Sequence, residues 1–140
     1  MAGPTETISF VARRLVQFEK RFGEAEIAQR RSLSNLFMQM SHSIRSMVLE
    51  LDRGHLPNDP CRDLILFSIQ LQAAAQEELG PGEADRLALA LGEASDKEKI
   101  YLEFQNSTQK DYLVEELEKA AILIQALADG IYVTQSGSAA

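Results

Sequence analysis

Among the residues of this 140-residue chain whose types could do chemistry, His42, His55 and Cys61 stand out. His42 is the best placed. Around it, Leu33, Leu36, Phe37, Met40, Ile44, Met47, Val48 and Leu51 recur at three- and four-residue steps. At about 100° per residue they fall within one stripe of roughly 120°, which predicts a core-facing helix. His42 lies about 180° from the middle of that stripe, so it is expected to face water. Arg45 follows one turn later, and Ser46 beside it is small. An imidazole standing clear of a bundle, with a cation one turn on, can accept a phosphoryl group, and a small neighbour keeps its approach open.

The string Ser41-His42-Ser43-Ile44-Arg45-Ser46 resembles the phospho-accepting helix of histidine phosphotransfer domains. In that family an exposed histidine is followed by an apolar residue, a basic residue and a small residue at the second, third and fourth positions. Met40-Ser41-His42-Ser43-Ile44-Arg45 also resembles the dimerisation helix of histidine kinases. The resemblance implies a phosphorelay role, with His42 as acceptor and Arg45 assisting. The sequence departs from these patterns where bulky Met47 and Val48 follow Ser46, and where Ser43 replaces the kinase helix's acidic residue. It contains no Gly-rich, Asn-bearing ATP-binding segment, so a complete kinase is not expected.

The other reactive types read as structural. His55 sits beside Gly54 in an expected turn, where a charged imidazole would favour the helix dipole. Cys61 falls in the first turn of a predicted helix, where the dipole lowers a thiol's pKa. As a lone cysteine it reads as a small packing residue, with no internal disulfide and no Cys-based metal site. Glu115 and Glu118 are three apart but join Glu116 on a solvated face. No Glu-x-x-His, Gly-x-Ser-x-Gly or phosphate-cradling glycine loop occurs, so no metal, cofactor or catalytic set is expected.

These residues need helices to position them. An all-α fold is predicted, an antiparallel bundle of four to five helices with coiled-coil-like seams, forming one domain over 1–130 with a flexible tail over 131–140. Ile8, Val11, Leu15, Phe18 and Phe22 form a seam on a first helix starting near Thr5, with a break at Gly23. Without that break, one rod would run from about residue 6 to 53, about 70 Å long. Gly54 is placed to end the His42 helix. Asp59 then reads as N-cap and Pro60 as the first residue of a third helix reaching Leu79. Leu64, Ile65, Leu66, Phe67, Ile69 and Leu71 cover most of its circumference, which predicts the bundle centre or a subunit interface. Leu87 and Leu91 mark a short fourth helix, and Ser95 with Glu98 has the spacing of a capping box. Leu113, Leu117, Ala120, Ile124 and Leu127 form a last seam, expected to end at Asp129-Gly130.

Composition narrows the function classes. The net charge is −7, which argues against nucleic acid as a partner. Residues 1–62 hold nine Lys and Arg against seven Asp and Glu, a net of +2, while 63–140 hold five against fourteen, a net of −9. Such asymmetry can steer antiparallel packing within one chain or between two. The basic pairs Arg13-Arg14, Lys20-Arg21 and Arg30-Arg31 read as salt bridges to the acidic half; on a rod they would mark a membrane or RNA surface. No apolar run approaches the roughly 20 residues of an integral membrane segment. The N-terminal residues have no secretory-signal pattern, so a cytoplasmic setting is expected. The leading expectation is a non-enzymatic protein-interaction or regulatory module, homodimeric and bound to another, unidentified protein. Phosphotransfer through His42 is the alternative.

Overall fold

The computed structural model describes residues 3–139, with 133–139 described by backbone alone. Among them every regular element is a helix, as the apolar periodicity predicts: α1 (Pro4–Val16), α2 (Glu19–Gly23), α3 (Ile27–Asp52), α4 (Asn58–Ala74), α5 (Gln76–Leu79), α6 (Pro81–Ala94), α7 (Lys97–Gln105) and α8 (Lys110–Ala139). The five longer helices close a ring. α8 packs on α3, α3 on α4, α4 on α6, α6 on α1, and α1 back on α8.

The predicted stripes line the inside of that ring. All eight stripe residues of α3 are buried, as are Leu113, Leu117, Ala120, Ile124 and Leu127 of α8 and Ile8, Val11 and Leu15 of α1. Phe22 of α2 meets Phe37 of α3 edge-on, with ring centroids 5.1 Å apart. Two buried serines tie α3 to α8. Ser34 Oγ donates to the Ala128 carbonyl at 3.0 Å, and Ser41 Oγ donates to the Ala121 carbonyl at 2.7 Å. Seven residues forward on α3 match seven residues backward on α8, so the two helices run antiparallel. Serine's small side chain permits close approach, and each bond satisfies a hydroxyl that would otherwise be costly to bury.

Several boundaries differ from the sequence reading. The first helix stops at Val16, not Gly23, because the chain tightens there: the Gln17 and Phe18 N–H groups donate three residues back, to Arg14 and Leu15. A second interruption after Gly23 separates α2 from α3, so the rod over 6–53 does not form. α4 begins at Asn58, and Asp59 does not cap it; its carboxylate lies 3.4 Å from Arg62 one turn on. The helix also breaks at Ala75 before reaching Leu79. Asp96, not Ser95, caps α7, accepting from the Glu98 and Lys99 N–H groups, while Ser95 Oγ donates back to the Leu91 carbonyl. α8 does not end at Gly130. It continues to Ala139 with Ile131 buried, and a Cβ at Gly130 would collide with Glu19 Oε1 of α2. The flexible tail expected over 131–140 falls mainly on residues whose side chains lie outside those described.

Of the two places expected for α4, it is not the bundle centre, because a ring has none: each member has two neighbours and one outward side. Ile65, Leu66 and Ile69 of α4 are 44%, 51% and 60% exposed.

Candidate functional site

His42 stands midway along α3 and is exposed, as the stripe predicts. It lines an open groove of about 930 Å³ where α3 turns into α4. The turn has a specific cause. Gly54 adopts φ +78°, a conformation that costs other residues a steric penalty, and the Gly54 and His55 N–H groups then close on the Leu51 and Glu50 carbonyls. That turn brings His55 into the groove, where its Nδ1 lies 3.2 Å from Glu50 Oε2. His55 therefore pairs with a carboxylate near the helix end, a local structural role. Ser43, Ser46, Asp59, Asp63 and Tyr101 of α7 complete the part of the groove that matters for chemistry.

The groove unites the two histidines, but it does not include Arg45. That residue is exposed on α3 and lines no part of the groove. The formally charged groups lining it are Glu50, Asp59 and Asp63, all carboxylates. They oppose an approaching phosphoryl dianion. His42 and Arg45 thus share α3, but only His42 lines the groove.

Cys61 is buried on the inner side of α4. Burial pushes its thiol up to about 12; Asp96 adds to the rise and Lys97 opposes it. Desolvation outweighs the lowering expected from the helix N-terminus, which leaves the thiol a poor nucleophile. Among the described residues no three His, Cys, Asp or Glu side chains gather as a metal-binding set. Glu115 pairs with Lys119 at 3.1 Å along the exposed side of α8. Of the basic pairs, Arg14 reaches across to Glu83 of α6 and also lies over the Phe18 ring, 5.1 Å from its centroid. Arg30 is buried, so it does not join the exposed cations of these pairs. No helix among the described residues is long and apolar enough to cross a membrane.

A second region carries no reactive group yet presents the more unusual surface. Ile69 of α4 and Leu89 of α6, 60% and 65% exposed, share a shallow groove floored by Ala88 and Gly92. Ile65 and Leu66 extend this apolar row along α4. Asp85 and Glu93 bound it on the α6 side. Sequence patterning marked the α4 residues as apolar and assigned them to the bundle centre or a subunit interface, and it did not single out Leu89.

Compared with known proteins, the chain matches no family model, no curated protein and no solved structure.

Proposed function

We propose that this chain is a non-enzymatic helical module that binds another protein in a regulatory or adaptor role, working in a reducing cytoplasm and as a homodimer. The observation that carries the reading is the outward row Ile65, Leu66, Ile69 and Leu89. Large apolar side chains clustered on one exposed face, with charges at the margin, have the composition of a protein-binding surface. Adjacent helices framing a shallow groove suit an amphipathic helix from the partner. Capture from native extract tests this, comparing the wild type with an Ile69→Asp, Leu89→Asp variant. A protein retained by the wild type and lost with the variant, at unchanged melting temperature, supports the reading. Identical retention by both would overturn it.

Phosphotransfer through His42 is the second reading, supported by the water-facing position of His42 at mid-helix beside an open groove. The carboxylates around that groove make it the weaker of the two. Incubation with acetyl phosphate or a phosphorylated response regulator should give acid-labile phosphate that His42→Gln abolishes. No label on the wild type with several donors would sink it.

A further inference from the structure

We infer that the outward face of the antiparallel α3–α8 pair is the surface through which two copies of this chain associate. The inference rests on the homodimer in the proposed function and names where it forms. On α3, Arg31, Met38 and Arg45 are exposed and recur every seven residues. On α8, Glu115, Ile122 and Asp129 are exposed at the same spacing, with Glu118 beside Glu115. One helix therefore displays cation, apolar, cation, and its neighbour displays anion, apolar, anion. Seven-residue spacing keeps each row on one side of its helix.

The register is set by the two serine bonds. With Ser34 level with Ala128 and Ser41 level with Ala121, Arg31, Met38 and Arg45 lie within two residues of the levels of Asp129, Ile122 and Glu115–Glu118. Consider a second copy facing the first across a two-fold axis parallel to these helices. Its α8 lies on α3 of the first copy, at the same level and antiparallel to it. Arg45 then meets the second copy's Glu118, Met38 meets Ile122, and Arg31 meets Asp129. A two-fold axis perpendicular to the helices instead lays α3 on α3, with cation against cation. The charge pattern selects the first arrangement, and the contact is isologous, as a closed dimer requires.

Among the described residues Arg31, Arg45, Glu118 and Asp129 form no ion pair within the chain. Exposed apolar Leu49 of α3 and Tyr132 of α8 add contact area at opposite ends of the face. From Arg31 to Leu49 the face is about 27 Å long and two helices, about 20 Å, wide. That is the order of the ~800 Å² per partner in a standard interface.

Sedimentation equilibrium of the full chain tests the inference. The wild type is expected to be a dimer. Arg45→Glu or Glu118→Arg alone weakens it about tenfold, since each change places like charges on both sides of the axis. The double variant restores it. Mixed Met38→Cys and Ile122→Cys chains give a disulfide-linked dimer on oxidation, while Cys61 stays buried. A monomeric wild type would overturn the inference together with the homodimer, leaving binding of another protein standing. A dimer indifferent to the charge changes but dissociated by Ile69→Asp would overturn this surface alone and move the dimer to α4. Single variants that weaken the dimer without rescue by the double would overturn the proposed pairing.

Discussion

α3 and α4 follow one another through a single turn, and both are rich in large apolar residues. α3 gathers eight of them in one stripe and buries all eight, leaving Ile27, Met38 and Leu49 exposed outside it, while α4 spreads its apolar residues around its axis and leaves Ile65, Leu66 and Ile69 exposed within five positions. The difference lies in their surroundings. Each helix has two neighbours in the ring, so each can bury only the side facing inward and toward those neighbours. The eight-residue stripe of α3 fits that geometry. A wider apolar surface exceeds it, and the excess is left available to a partner.

The inward side of α3 should be the most sensitive to substitution. Phe37→Ala removes a fully buried ring that packs edge-on against Phe22. It should cost about 3–5 kcal/mol, read from denaturant unfolding. A loss no larger than that of an exposed residue would mean the stripe is not the core.

The inner side of α4 gives a smaller effect that depends on pH. The Cys61 thiol is raised from 9.0 to about 12 in the folded chain, so the unfolded chain ionises first. The associated stability is complete below about pH 9 and is lost as pH rises toward about 12. Melting temperatures between about pH 8 and 11 should fall more steeply for the wild type than for Cys61→Ala. Equal slopes would show that folding does not raise the thiol's pKa.

The smallest effect on stability belongs to the outer side of α4. Ile69→Asp should shift unfolding by within about 0.5 kcal/mol, because its side chain already contacts water. A loss of several kcal/mol would show that Ile69 is buried and remove it as a docking residue.

The histidine region shows a different limit on what can be read from sequence. The outward position of His42 follows from its angle to the α3 stripe, and the structure agrees. Its company does not follow. His55 joins it through the Gly54 turn, Tyr101 arrives from α7, and three carboxylates enter from α3 and α4. Spacing along one helix names neighbours only on that helix, and Arg45 shows the cost of reading further: close in sequence, it lies outside the groove.

Local competition explains the missed boundaries. Asp96 and Ser95 are both capping residues, and sequence favoured the one that completes a capping box; the backbone places the Asp96 carboxylate on the free N–H groups. Gly130 looks like a stop, yet α8 runs through it, with the Glu19 carboxylate of α2 close by.

The sequence by itself determined the helical class, the buried stripes of α3 and α8 and the outward direction of His42. Each depends on the periodicity of a single helix, a property fixed by about 100° of rotation per residue. The tertiary structure alone decided that the helices close a ring, that α4 lies in its wall with an apolar side turned outward, and that the basic row of α3 runs beside the acidic row of α8. Those are relations between helices, set by which side chains let two backbones approach. The Ser34 and Ser41 hydroxyls on the α8 carbonyls fix the last of them.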